Sequence, residues 1–258
     1  MRTSRWGGTT VLVLVLAWAV HGVDPGGLAR LDVRGVRALR GVLRPDLAPE
    51  VLREVLTYAA ETLQMAVAGL AVSCVLAAPL ALLIAGSSRA ARPMRGAARL
   101  LAGLLRGIPE LVYALVLVAV VGLGPLAGTL ALAVHGAGLL AKLWSEQLEA
   151  VDGRAVEAVR LSGASRSGVL LLGVLPQARP GLLSLLLYQL ECNVRSATVL
   201  GVVGAGGLGQ AIELSLRLFD YPRLGTLVLG VLVIVLGVDA LSRRLRGRWG
   251  ADVRTVTP

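Results

Sequence analysis

The chain has 258 residues, of which 55% are hydrophobic and only 16% charged, with a mean hydropathy of +0.75. That composition excludes an ordinary soluble domain of this length and places the chain in a bilayer. The formal net charge of +10 comes almost wholly from arginine. These arginines gather at the ends of apolar runs with few aromatics among them, which fits anchoring on the cytoplasmic side of a membrane and not nucleic-acid binding.

Crossing roughly 30 Å of hydrocarbon takes about 20 helical residues, and apolar runs of that kind lie near 9–22, 58–86, 97–122, 125–148, 178–200 and 223–242. They predict an all-α, polytopic helical bundle with about six spans. The first run is short, follows Arg2 and Arg5, and contains Ala17-Trp18-Ala19. We read it as an uncleaved anchor in preference to a cleaved signal peptide. Residues 23–57 must then lie outside although they carry Arg30, Arg34, Arg37, Arg40, Arg44 and Arg53, partly balanced by Asp24, Asp32, Asp46, Glu50 and Glu54. Arg30 to Arg40 read as part of an interfacial amphipathic helix, and Glu61 as interfacial at the outer start of the second span.

Arg89, Arg92, Arg95 and Arg99 between the second and third spans, and Arg243, Arg244, Arg246 and Arg248 after the sixth, put both regions on the cytoplasmic side. The loop 149–177 faces the same way. Pro79, Pro109 and Gly69 fall inside spans, where neighbouring helices must satisfy the backbone groups they free. Small residues crowd the second span (Ala66, Ala68, Gly69, Ala71) and the fourth (Ala131, Ala133, Gly136, Ala137, Gly138), which predicts close helix packing. Cys74 and Cys192 lie in apolar runs without metal or disulfide spacing and read as packing residues.

The chain divides into an anchor and external segment (1–55), a transmembrane core (56–246) with a cytosolic helix pair near 152–176, and a short cytosolic tail (247–258). In the helix pair, Val156, Val159 and Leu161 share an apolar stripe while Arg154, Glu157 and Arg160 stay wet. Gly163 ends the first helix. The second, from Ser165 to Val174, is predicted to stop at Pro176. Read alone, this pair is either a docking element or an ordinary connector.

The spacing resembles the cytosolic signature of the integral-membrane permeases of binding-protein-dependent ABC importers: Glu-Ala-Ala, three residues, Gly, nine residues, Ile-x-Leu-Pro. Glu157, Ala158, Gly163, Leu175 and Pro176 match in register, while Val159 and Gly173 depart. A narrower resemblance is to the phosphonate-type permeases, which include phosphate and phosphite importers. It rests on Arg106-Gly107-Ile108-Pro109-Glu110, on His135-Gly136-Ala137-Gly138 followed by Lys142, on Glu191-Cys192-Asn193-Val194-Arg195, and on Gly204-Ala205-Gly206-Gly207-Leu208-Gly209.

The resemblance implies a multi-pass subunit of a bacterial inner (plasma) membrane. It implies a homodimer of two permease copies forming the pore, two cytosolic ATP-binding subunits docked on the Glu-Ala-Ala helices, an external substrate-binding protein, and contact with membrane lipid and no nucleic acid. It implies no cofactor on this chain, ATP and Mg being used by the partner ATPase.

Ionisable groups inside spans mark transport pathways by default. Glu191 and Arg195, one helical turn apart, read either as a structural ion pair or as the setting in which Arg195, with Asn193, faces an oxyanion path. Arg106 precedes Pro109 and Glu110, where a broken helix would turn backbone groups toward a cavity; a local Arg106–Glu110 contact is the plainer account. His135 either meets a passing anion or bonds two helices, and Lys142 snorkels at the cytosolic end of the fourth span. Gly204, Gly206 and Gly209 spell a dinucleotide fingerprint but lack its strand and βαβ setting. With Gly207 they suit a re-entrant loop or tight outer gate.

These readings make the chain a non-enzymatic permease for phosphonate, phosphate or a related oxyanion. Permeation of another small solute such as methionine is the alternative within transport. An intramembrane enzyme is the alternative outside it, and for that the sequence offers no paired carboxylates, Ser/His couple or metal cluster.

Overall fold

The computed structural model describes residues 33–86 and 92–248; the first apolar run, Arg2, Arg5, Arg30, Arg89 and the end of the tail lie outside them. Every described element is helical: α1 (Val33–Val42), α2 (Pro49–Ile84), α3 (Arg92–Gly107), α4 (Glu110–Val121), α5 (Pro125–Glu149), α6 (Gly153–Leu161), α7 (Arg166–Ala205), α8 (Gly207–Arg217) and α9 (Tyr221–Arg248). Among the described residues four helices, α2, α5, α7 and α9, are long and apolar enough to cross a membrane, and α3 with α4 passes the same test as a bent pair.

The core is the seam between α2 and α5, and small residues make it. Ala66, Gly69, Ser73 and Ala77 recur at helical spacing on α2 and are all buried. A side chain at Gly69 would come within 2.9 Å of Leu132 Cβ, and one at Gly136 would strike the Ser73 hydroxyl. Ser73 donates to Gly69 O at 2.8 Å and lies 3.1 Å from Ala133 O, so its polar group is satisfied inside the bundle. Dispersion at short backbone separation stabilises this seam, because lipid gives apolar side chains no reason to leave it.

Two expectations about proline change. The run 97–122 is not one span with Pro109 inside it. The chain breaks at Ile108 and Pro109 and turns by 83° between α3 and α4, since proline offers no N–H and disfavours helix at the preceding residue. The carbonyls freed there find partners: Tyr113 Oη donates to Leu105 O at 3.1 Å, and His135 Nδ1 meets Ile108 O at 3.0 Å. Gly138 permits the approach of α3, since a Cβ would come within 2.6 Å of Arg106 N.

Pro176, by contrast, ends nothing. α7 runs from Arg166 to Ala205 and widens to π geometry over Val169–Val174, where Leu175 N donates five residues back to Leu170 O. The wider turn makes room for a proline ring at the start of the α-helical stretch that follows, where a missing N–H costs little.

At the opposite end of α7 a second π turn, Gly201–Ala205, passes into a reversal with Gly204 at φ 92° and Gly206 at φ 93°, values an L side chain rarely adopts. The reversal closes inward: Gly124 N donates to Gly204 O at 2.9 Å and Leu208 N to Thr62 Oγ1 at 3.0 Å.

Residues 33–48 pack against this end. α1 forms where an amphipathic helix is expected and packs on the start of α9, with Val42 against Gly225, while Thr226 Oγ1 donates to Asp46 O at 2.7 Å and Arg223 pairs with Glu54. The first long helix already begins at Pro49, so residues 49–55 continue the core. At the other end Ala85 and Gly86 after α2, Arg95 of α3, α6 and the start of α7 line one cleft of about 730 Å³, which puts Arg95 and the 149–177 loop on one side.

Candidate functional site

The break between α3 and α4 opens a cavity of about 300 Å³ against α5 and α7, lined among others by Glu110, His135, Gln189, Asn193, Arg195 and Ser196. α4 contributes Glu110 at its first residue because Pro109 starts the helix there. α5 contributes His135, and α7 contributes Gln189, Cys192, Asn193, Arg195 and Ser196 at helical spacing.

The lining is hydrogen-bonded in a definite order. Ser196 Oγ donates to Glu110 Oε1 at 2.8 Å. His135 Nε2 stands 3.8 Å from Glu110 Oε2. Asn193 Nδ2 donates to Ala66 O at 3.1 Å, and Gln189 Nε2 donates to Asn193 Oδ1 at 2.9 Å. Gln189 Oε1 is buried and finds no partner. Arg195 is exposed to the cavity and has no carboxylate at ion-pair distance among the described residues.

Of the five expected path residues the structure therefore brings Arg195, Asn193 and His135 together and separates the other two. Glu191 does not pair with Arg195. It is 9% exposed, and its carboxylate accepts from Arg246 of α9: a neighbouring helix competes better for a buried carboxylate than a residue one turn along the same helix. Arg106 lies outside the cavity lining at the end of α3 and forms no ion pair or hydrogen bond with Glu110. His135 bonds the helix break through Nδ1 and lies among the residues that line the cavity. Lys142 pairs with Glu146 at 2.7 Å.

α6 stands off the bundle. Asp152 caps it, accepting from Arg154 N at 2.9 Å, Glu157 pairs with Arg160 at 2.9 Å, and none of its residues is buried. Gly163 ends it at φ 84° in open space. Ala158 is exposed, and Leu175 and Pro176 lie in α7 beyond the π turn. The two departures from the signature face each other: Gly173 is buried, and a Cβ there would lie 3.4 Å from Val156 Cα and 3.6 Å from Val159 Cβ. A larger residue at 159 fills the room that glycine leaves at 173.

Gly204, Gly206, Gly207 and Gly209 form the reversal between α7 and α8. Gly206, Gly207 and Gly209 are buried, and a Cβ at Gly209 would collide with Thr198 O. The polar cavity residues missed from sequence are Gln189 and Ser196, Cys192 was read as a packing residue, and Glu110 was read only as a partner for Arg106. The i, i+4 spacing of Gln189 and Asn193 was the available signal.

A bundle of broken and π-turned helices around a polar cavity, with a capped helix exposed at one end, defines a membrane transport subunit. Residues 77–250 match the family described as binding-protein-dependent transport system inner membrane component, and the chain belongs to that family. It is a multi-pass inner-membrane transport component that works beside ATP-binding subunits and a substrate-binding protein.

The chain is 36% identical over 236 residues to the phosphite transport system permease protein PtxC of Stutzerimonas stutzeri, covering 91% of this chain and 85% of that protein. It is 38% identical over 249 residues to the phosphate-import permease protein PhnE of Mycolicibacterium smegmatis, covering 96% of this chain and 47% of that one. Its fold is similar to that of a chain of the inward-facing MetNI methionine ABC transporter, with a TM-score of 0.69 at 21% identity over 79% of this chain and 99% of that chain.

Proposed function

We propose that the chain conducts a phosphorus oxyanion, such as phosphonate, phosphate or phosphite, inward by alternating access, with Arg195 supplying the positive potential of the path. The observation that carries this is an arginine on a cavity inside the bundle with no carboxylate within ion-pair distance of it among the described residues. A guanidinium suits a tetrahedral oxyanion, whereas a zwitterion such as methionine brings its own cation and gains little from a second. The names of the relatives point the same way.

Two copies would form the pore as a homodimer, with Asn193 and His135 beside Arg195. Gly204, Gly206, Gly207 and Gly209 would form the outer gate, and Glu157, Ala158, Gly163, Leu175 and Pro176 the dock for the ATPases. The chain binds no cofactor in this scheme; ATP and Mg belong to the ATPase subunits.

Vesicles holding the whole complex test the substrate. ATP-dependent accumulation of labelled phosphate or labelled alkylphosphonate is expected, and accumulation of methionine with neither oxyanion would overturn the reading. The dock has its own test at Gly163. A β-branched residue at φ 84° costs about 1–2 kcal/mol and re-aims α6 without touching the core. Gly163→Val is therefore expected to leave the permease in the membrane while weakening substrate-stimulated ATP hydrolysis and uptake together; unchanged stimulation would remove the docking role.

A further inference from the structure

α6 meets α7 in two ways. The first is the contact of Val156 and Val159 with Gly173. Dispersion holds the surfaces together, but a glycine offers no side chain to key into, so the contact resists separation and not sliding or rotation. The second is directional. The side-chain amide of Gln177 accepts at Oε1 from Asp152 N, 3.2 Å away, and donates from Nε2 to Gly173 O at 2.6 Å. Its two partners fix which way the amide faces, since a backbone N–H only donates and a carbonyl only accepts. Among the described residues no other hydrogen bond or ion pair joins residues 150–163 to α7.

The amide also sits where a link of this kind has leverage. Asp152 is the residue from which α6 starts, its side chain capping the first turn. Gln177 stands between Pro176 and Pro180, just past the π turn Val169–Val174. Each proline withholds an N–H from the helix, and a π turn beside them makes this the stretch of α7 most able to bend. The bond to Gly173 O pins a side chain that would otherwise swing about its several torsions, so the tie to Asp152 is stiff. Arg195 lies about five turns further along the same helix, roughly 27 Å at 1.5 Å per residue.

We propose that Gln177 is the positioning residue through which a displacement of α6 passes into α7 and so to Arg195. This rests on the docking role given to α6 and adds the residue that carries its motion into the membrane. With the amide in place, a push on α6 turns the foot of α7 with it. Without it, valine slides over glycine, and the ATPases cycle while α7 stays behind.

The test is the ratio of solute accumulated to ATP hydrolysed, measured in proteoliposomes that hold the whole complex with its external binding protein. The solute is labelled phosphate or labelled alkylphosphonate, whichever the parent accumulates. Gln177 is exposed, so Gln177→Leu is expected to leave the amount of assembled complex and its substrate-free ATP hydrolysis near the parent's. The ratio should fall about fivefold, the weight of one hydrogen bond. Gln177→Glu keeps an acceptor for Asp152 N but has no donor for Gly173 O at neutral pH, and should lower the ratio about twofold.

A merely structural role would reduce the assembled complex and leave the ratio of what remains unchanged. A parent-level ratio in Gln177→Leu overturns the proposal, and so does one in Gln177→Glu should the first variant not assemble. The docking reading fails in a different way. A thiol–amine cross-linker attached to Ala158→Cys, on the exposed side of α6, is expected to join the permease to its ATPase subunit. Absence of that product removes the docking role itself, a result distinct from an unchanged ratio.

Discussion

Arg195→Gln is expected to reduce uptake by roughly 10- to 150-fold, the loss of one hydrogen-bonded charge worth about 1.5–3 kcal/mol, while the complex still assembles and accepts its external binding protein. Because no carboxylate pairs with Arg195, the substitution strands no buried charge, and loss of transport cannot be blamed on a broken ion pair. Arg195→Lys should keep part of the activity, since the charge remains but the planar fork does not. Uptake measured in vesicles beside the amount of assembled complex separates the outcomes. Parent-level uptake by Arg195→Gln would take Arg195 out of the path.

Arg246→Leu is expected to act on stability instead. Glu191 is 9% exposed along its side chain and Arg246 25%, so removing the cation leaves a buried carboxylate alone, at a cost of about 3–5 kcal/mol. Thermal unfolding in detergent should show a marked loss for the single variant. Glu191→Gln combined with Arg246→Leu should recover most of it, because two neutral side chains leave no stranded charge. A double variant as unstable as the single one would mean that Arg246 supports the bundle through packing alone.

The sequence made the bundle legible because its signals are long and redundant: apolar runs, arginine asymmetry and small-residue spacing each point to the same helices. Five of the six expected apolar runs have helices in the described residues, and α6 forms where the stripe and Gly163 placed it. What sequence reasoning lost was set by three-dimensional competition.

The spacing of Glu191 and Arg195 suggests an ion pair, yet Arg246 lies 55 residues further along the chain and no local rule reports it. Pro109 announced a break but not an 83° turn, and without the turn Glu110 could not be placed opposite His135 and Ser196. Pro176 failed as a stop signal because a π turn upstream absorbs it, and π turns have no short sequence signature. Gln189 went unnoticed as a lone neutral amide in an apolar run; its importance comes from the Ala66 carbonyl on another helix, which dictates its orientation through Asn193.

The exchange of size between Val159 and Gly173 makes the tilt of α6 a property shared by two segments that the signature motif treats separately. A chimera cut at the turn glycine to redirect the chain toward a foreign ATPase would be cut at Gly163. It would pair the valine of one parent with the bulkier 173 of another, or an alanine with glycine, giving overlap in the first case and a hole in the second. The transferable unit in this chain runs from Asp152 through the π turn to Leu175, so a viable graft has its downstream seam inside the membrane helix and not in the loop.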